Sequence, residues 1–145
     1  MPDKTFSPED HRKIVAAIGE AEKDTSGEIR LFVENNCEGE VLDRAAYLFG
    51  HLEMHKTAHR NGVLFYLAIV SKKFAVIGDA GIHAKVPENF WDGIKQNMQN
   101  HFAAGDFVTG LSEGIRMSGA ELKKYFPHND SDRNELPDEI EFGND

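Results

Sequence analysis

Acidic and amide side chains stand beside three predicted strand ends, and their chemistry is that of hard oxygen ligands. Glu28 opens the first predicted strand, Asn61 precedes the second, and Asp79 follows the third. Asp106, which comes directly after Gly105, adds an oxygen donor at the start of a predicted helix. Calcium and magnesium prefer carboxylate, amide and carbonyl oxygens. These four residues are therefore the candidate metal ligands, and Ca²⁺ or Mg²⁺ is the expected ion.

Three of these residues also have ordinary structural interpretations. Glu28 can be a surface charge, and Asp79 can be a turn former because aspartate bonds to the backbone that follows it. Asp106 can be a helix cap, since its carboxylate accepts hydrogen bonds from the first turn. Spacing alone does not distinguish a ligand from a cap or a turn, so both interpretations stay open.

The hydrophobic pattern predicts the elements that would position these residues. Apolar residues recur at helical spacing in four segments and form three apolar or alternating strands. The predicted order is α-β-α-β-β-α-α, which indicates an α/β protein built as a three-layer α/β/α sandwich with a central mixed, twisted sheet. The helices cover approximately residues 7–23, 41–57, 87–105 and 106–127, and the strands cover residues 28–34, 63–70 and 74–77.

The connections between the strands predict which of their ends meet. A helix joins the first two strands, so they are expected to run parallel. A short polar connection joins the second and third strands, so these are expected to form an antiparallel hairpin. Residues 26–28, 60–62 and 78–81 then lie at one edge of the sheet. We expect the helix start at Asp106 to come to that edge as well.

Composition and charge exclude several classes of protein. The chain has 145 residues and a net charge of −9, which disfavours nucleic acids and anionic membranes as partners. Its single cysteine excludes an intramolecular disulfide and a cysteine-based zinc site. The apolar run at residues 63–70 is far shorter than the roughly 20 residues of a membrane-spanning helix, so we expect no direct membrane insertion. The polar N-terminal segment lacks a secretory leader pattern, which predicts a cytoplasmic protein.

The acidic charge is concentrated at the C-terminal end. Residues 127–145 contain seven acidic residues and one basic residue, which leaves a net charge of only −3 for residues 1–126. We therefore predict a single domain over residues 1–126 and an acidic tail over residues 127–145. Such a composition is typical of a mobile or loosely docked segment.

Three histidines have a spacing that can bind zinc. His51 and His55 are four residues apart on the second predicted helix, and His59 follows four residues later. In the HExxH motif of metalloproteases the glutamate directly follows the first histidine, whereas Glu53 stands one residue further along the chain. A solvated helix face is the favoured interpretation of these histidines.

The tail contains a degenerate match to a calcium-binding EF-hand loop. The matching oxygen donors are Asp130, Asp132, Asn134 and Glu141. The sixth position of such a loop requires glycine for a sharp turn, and Glu135 stands there instead. We therefore interpret this stretch as a solvated acidic segment.

Several short motifs occur together in the chain. They are TSGEI at 25–29, RNGVL at 60–64, FAVIGDAGI at 74–82, and GDF at 105–107 followed by Gly110 and Gly114. Their order resembles the TPM domain family, named for a thylakoid lumen photosystem II repair protein and its relatives, and the resemblance covers roughly residues 7–126. The closing sequence Asn-Glu-Leu-Pro at residues 134–137 is similar to that of a short soluble bacterial subgroup.

The resemblance implies an α/β/α sandwich, divalent-cation binding as in some members, and acid phosphatase activity as proposed for a plant member. The favoured function is cation binding, in which the metal holds loops together. A metal-dependent acid phosphatase is the first alternative, although the sequence contains no Cys-x5-Arg loop, no P-loop and no Arg-His-Gly motif. The second alternative is a protein-interaction module without metal and with an unidentified partner. The sequence therefore makes no firm prediction of an enzyme.

Overall fold

A computed structural model describes residues 6–128 and 140–143. Within these ranges the helices are α1 (Pro8–Asp24), α2 (Val41–His51), α3 (Ala80–Lys85), α4 (Asp92–Ala103) and α5 (Phe107–Leu122). The strands are β1 (Glu28–Glu34), β2 (Gly62–Ala68), β3 (Lys73–Gly78) and β4 (Ile140–Phe142).

The sheet has the topology that the connections predict. Its strand order is β3-β2-β1-β4, with β1 parallel to β2 and β2 antiparallel to β3. Glu28 pairs with Gly62, and Val63 pairs with Gly78. Every residue of β1 and β2 is buried, because these strands have neighbours in the sheet and helices cover both of its faces.

Helices cover both faces of the sheet, which confirms the three-layer α/β sandwich. Alternate residues of a strand point to opposite faces. Leu31 and Phe65 belong to the larger core, which α1, α4 and α5 cover, whereas Phe32 and Tyr66 belong to the smaller core beneath α2. In the described part of the chain, no helix is long and apolar enough to cross a membrane.

Glycines bring α5 very close to its neighbouring helices. A β-carbon at Gly119 would lie 2.7 Å from the Cα of Ala21 in α1, and one at Gly114 would lie 2.6 Å from the sulfur of Met98 in α4. Both distances are shorter than a nonbonded contact between a carbon atom and a neighbouring carbon or sulfur atom allows. The close packing of α5 against α1 and α4 therefore requires glycine, which has no side chain, at these two positions.

Most predicted helix ends agree with the structure. Ser7 caps α1 and forms a reciprocal capping box with Asp10. Gly105, with φ at +83°, follows the end of α4, and Asp106 caps α5. The third predicted helix begins at Asp92 instead of near Pro87, because a turn precedes it.

The second helix is shorter than predicted. It ends at His51, and Glu53 adopts a left-handed conformation with φ at 58°. The amide of Met54 donates to the carbonyl of Phe49 at 3.0 Å, which is the closing hydrogen bond of a common helix-ending motif. Glycine usually occupies the left-handed position of this motif, so the sequence contains no clear stop signal.

This early end separates the three histidines. His51 is the last residue of α2, whereas His55 and His59 lie in the following loop. The helical four-residue spacing that suggested a shared face therefore does not exist in the structure.

Two described elements, α3 and β4, were not predicted as elements. Asp79 caps the short helix α3 directly after β3. β4 pairs in parallel with β1, with Ile140 opposite Leu31, and buries Ile140. Residues 129–139 and 144–145 of the predicted tail lie outside the described residues, and the domain boundary at residue 126 stays a prediction.

Candidate functional site

Backbone hydrogen bonds join the three strand ends at which the candidate ligands lie. The amide of Glu28 donates to the carbonyl of Asn61 at 3.2 Å, and the amide of Asp79 donates to the carbonyl of Gly62 at 2.9 Å. Three of the four candidate ligands, Glu28, Asn61 and Asp79, thus lie at one edge of the sheet. We call this region the cation edge; its metal-binding role stays a prediction.

Three residues that lie opposite one another on neighbouring strands form a row across the sheet at the cation edge: an acid, a glycine and a second acid. Glu28 pairs with Gly62, and continuing the β2–β3 register places Asp79 opposite Gly62 on the other side. Two strand spacings separate the backbones of the two acids by about 10 Å. A β-carbon at Gly62 would lie 3.0 Å from the carbonyl oxygen of Met54 and 3.6 Å from Cζ of Phe49. A backbone carbonyl therefore approaches the centre of the row.

Asp79 forms a two-point ion pair with Arg60. Its Oδ2 accepts from Nε and its Oδ1 from Nη2, both at 2.7 Å, and Oδ1 also accepts from the amide of Ala80 at 2.7 Å. Only 6% of Asp79 is exposed, whereas 51% of the Arg60 side chain is exposed. The counter-ion of this buried carboxylate is therefore half in solvent.

The ion pair keeps Asp79 charged despite its burial. Burial raises the pKa of Asp79, but the hydrogen bonds from Arg60 and Ala80 and the charge of Arg60 together hold this pKa below its usual value. The same hydrogen bond raises the pKa of Arg60. The loop before β2 therefore gives this carboxylate a cationic partner.

The other groups of the cation edge are also buried. Glu28 is 4% exposed and Asn61 is 1% exposed. Asn61 donates from Nδ2 to the hydroxyl of Ser26 at 3.4 Å, so its amide oxygen takes no part in that bond. In the same loop, the buried hydroxyl of Thr57 has no hydrogen-bond partner among the described residues. The loop before β2 thus contains a buried amide and a buried hydroxyl group.

The structure does not bring Asp106 to the cation edge. Gly105 lines a cavity with Lys73 and Phe74, the first residues of β3, whereas Asp79 follows the end of that strand. The length of β3 separates the two positions by roughly 20 Å. The expected convergence is therefore wrong for Asp106, because α5 begins at the opposite end of the sheet.

Asp106 has the capping role that sequence analysis leaves open. Its Oδ1 accepts a hydrogen bond from the amide of Thr109 at 3.1 Å. Hydrogen bonds from Thr109 lower the pKa of Asp106, which keeps the cap charged at neutral pH.

The described residues contain no group of three or more histidine, cysteine or acidic side chains that could hold a metal ion. A cation at this edge would therefore need amide, hydroxyl or backbone oxygens beside Glu28 and Asp79. Asp130 and Asp132 of the degenerate EF-hand match lie outside the described residues.

A second buried polar cluster lies at the opposite end of β1. Glu34 accepts a hydrogen bond from the hydroxyl of Tyr66 and two hydrogen bonds from Arg44, each at 2.9 Å. Burial raises the pKa of Tyr66, as does its hydrogen bond with Glu34. The sequence does not reveal this cluster, because its three members come from different elements.

Comparison with known proteins identifies the family. The model of the TPM domain matches residues 2–121. The chain belongs to the TPM domain family. A TPM-type structure, the NMR structure of the BA42 protein from the psychrophilic bacterium Bizionia argentinensis, is 43% identical to it. The match covers 95% of each chain with a TM-score of 0.91.

Two more distant structures share the fold of this TPM domain. The N-terminal domain of a P. gingivalis protein is 16% identical, with a TM-score of 0.69, over 86% of this chain and 82% of that chain. The N-terminal domain of the cg2496 protein from Corynebacterium glutamicum is 12% identical, with a TM-score of 0.63, over 87% and 78%. Comparison with curated proteins finds no match.

Proposed function

We propose that this TPM domain binds one divalent cation, Ca²⁺ or Mg²⁺, at the cation edge, and that the ion holds the surrounding loops together. The row of Glu28, Gly62 and Asp79 carries the proposal, because it places two buried carboxylates on either side of a position without a side chain. Calcium and magnesium bind such hard oxygen donors.

The donor chemistry of the cation edge suits these ions. The low pKa of Asp79 keeps its carboxylate ionised at neutral pH, so no proton has to leave before a cation binds. The amide oxygen of Asn61 and the unpartnered hydroxyl of Thr57 are further candidate donors from the loop that precedes β2. An ion bound there would connect this loop to the ends of β1 and β3.

Arg60 acts as a competitor for the ion. Its guanidinium contacts both oxygens of Asp79, so a cation that takes these oxygens must displace it. Because half of the Arg60 side chain is already exposed, the guanidinium can move into water with little desolvation change. Cation binding and release of Arg60 are therefore coupled in the proposal.

Calorimetric titration of the chelator-treated protein with calcium and with magnesium tests the proposal. We expect one saturable site and a raised thermal midpoint, since an ion that binds only the native state stabilises it. Asp79→Asn and Glu28→Gln should each weaken binding by about tenfold or more, because each removes a ligand charge. Asp106→Asn is the matched control and should bind like the wild type.

The competition between Arg60 and the ion also predicts a substitution that strengthens binding. Arg60→Gln should tighten calcium binding, because it removes the positive charge that occupies Asp79. Absence of heat and of a thermal shift with both ions would refute cation binding by this domain. Binding that survives Asp79→Asn and Glu28→Gln would instead place the ion elsewhere on the chain.

A further inference from the structure

A cavity of about 290 Å³ opens at the opposite end of the sheet from the cation edge. It lies between the β2–β3 hairpin, the end of α4 and the start of α5. We call it the hairpin cavity. Side chains that determine its chemistry are Leu67, Lys72, Phe74, Gln99, Phe102 and Phe107. Its volume is close to the lower end of the range of known small-molecule sites.

The floor of the hairpin cavity is aromatic. Phe74 and Phe102 meet edge to face, with ring centroids 5.0 Å apart and planes at 84°. Phe107 lies against Phe102 with a centroid distance of 5.7 Å. These three rings are only partly buried in the larger core, so part of their surface faces the cavity. Such a floor favours an apolar ligand body with a ring that continues the edge-to-face packing.

The rim of the hairpin cavity carries an ammonium group that is not engaged by an acid. Lys72 is exposed and lies in the hairpin turn with φ at 56°, and among the described residues no hydrogen bond or ion pair engages its side chain. The neighbouring Lys73 is different, because its ammonium donates to the carbonyls of Cys37 and Gly39 at 3.3 and 2.8 Å. Lys72 is thus the cation available to a ligand.

Among residues 6–128 and 140–143, no acidic side chain lines the cavity to oppose an anion. The nearest acid in sequence, Asp106, accepts a hydrogen bond from the amide of Thr109 as the cap of α5, and it lines a separate cleft beside Lys13 and Arg116. The side-chain amide of Gln99 adds a neutral hydrogen-bonding group to the rim. The cavity therefore combines an apolar floor with one positive charge at its mouth.

We propose that the hairpin cavity binds a small monocarboxylate with an apolar, aromatic body. The body packs on Phe74, Phe102 and Phe107, and the carboxylate pairs with the ammonium of Lys72. This site is independent of the cation edge, since the length of the sheet separates the two.

Titration of the full chain with 4-phenylbutyrate, followed by ¹H–¹⁵N NMR spectra, tests the proposal. Saturable shifts should concentrate at the hairpin, the end of α4 and the start of α5. 4-Phenylbutanol, which keeps the body and loses the charge, should bind more weakly by about fivefold, as expected for an exposed ion pair. Lys72→Gln should weaken the carboxylate by a similar factor and leave the alcohol unchanged.

A pair of alanines provides a steric control. Ala103 lines the cavity and its neighbour Ala104 does not, although both are exposed. Ala103→Phe should therefore abolish binding by filling the cavity, whereas Ala104→Phe should bind like the wild type. Lys123→Gln, which does not line the cavity and is also exposed, controls for the loss of a charge.

Several results would overturn the proposal. These are the absence of saturable shifts at millimolar 4-phenylbutyrate, shifts centred on another surface, and equal affinity for the alcohol and the carboxylate. Binding that Ala103→Phe leaves intact would also overturn it. If Ala103→Phe does not fold, the comparison of Lys72→Gln with Lys123→Gln still decides the outcome, because both positions are on the surface.

Discussion

At the scale of single residues, two charged side chains of β1, Arg30 and Glu34, are buried and are paired with residues of other elements. Arg30 and Glu34 alternate with apolar residues, a pattern that places them on a solvent face, yet they are 5% and 4% exposed. Arg30 pairs with Glu141, and Glu34 pairs with Arg44. A buried charge is tolerated only when such partners satisfy it.

The phenol of Tyr66 should resist ionisation as long as the chain stays folded. Burial and the hydrogen bond with Glu34 raise its pKa above the usual value. In an alkaline titration followed by phenolate absorbance, Tyr66 should ionise only when circular dichroism shows unfolding.

The raised pKa also defines a pH window for stability. The folded state holds the Tyr66 proton more tightly than the unfolded state does. The resulting stabilisation is fully present below the unfolded pKa of about 10 and is lost as the pH rises above it. Tyr66→Phe is the control and should lack the late ionisation. An ionisation that Tyr66→Phe removes, and that precedes unfolding in the wild type, would contradict the burial of this phenol.

At the scale of elements, the contact between α1 and α5 depends on close backbone approach. Gly119→Ala would place a methyl group 2.7 Å from the backbone of Ala21, so the helices must separate. We expect the free energy of unfolding to fall by about 2 kcal/mol, as for other overpacked cores. Urea denaturation followed by circular dichroism measures this change.

Gly19 in α1 is the matched control for Gly119. A β-carbon there meets no atom within 4 Å. Gly19→Ala should raise the free energy of unfolding by about 0.5–1 kcal/mol, because alanine loses less backbone entropy in a helix than glycine does. Equal effects of the two substitutions would show that α1 and α5 are not as closely packed as the structure indicates.

At the scale of the whole molecule, β4 connects the C-terminal segment to the sheet. Ile140 is buried against the larger core, and Glu141 pairs with the buried Arg30. A chain that ends at residue 126 loses both contacts and leaves the charge of Arg30 without this partner. We expect such a chain to unfold cooperatively in urea, with a free energy of unfolding lower by about 3 kcal/mol.

Glu141→Gln distinguishes the contribution of the Glu141 charge to stability from the contribution of β4. It retains β4 and removes only the carboxylate charge, so the free energy of unfolding should fall by about 1 kcal/mol. If the shortened chain is unfolded or aggregated, the tail is part of the folding unit and the boundary at residue 126 is wrong. If the shortened chain is as stable as the full chain, β4 contributes nothing to the fold.

The sequence alone predicted the features that depend on local pattern. The caps at Ser7 and Asp106, the parallel pairing of β1 with β2, and the hairpin of β2 with β3 follow from short-range periodicity, capping chemistry and connection length. The same reasoning brings Glu28, Asn61 and Asp79 to one edge, because strand direction alone decides which ends meet. The motifs around these residues also suggest the TPM domain family, and the match of the family model to residues 2–121 confirms it.

Only the tertiary structure decided which groups contact the candidate ligands. The partnership of Asp79 with Arg60 and the place of Asp106 at the opposite end of the sheet have no local signal. The same holds for the left-handed Glu53, which ends α2 without glycine. The physical reason is that periodicity reports which side of an element is buried, whereas ion pairs and packing orientations depend on groups that meet only after the layers assemble.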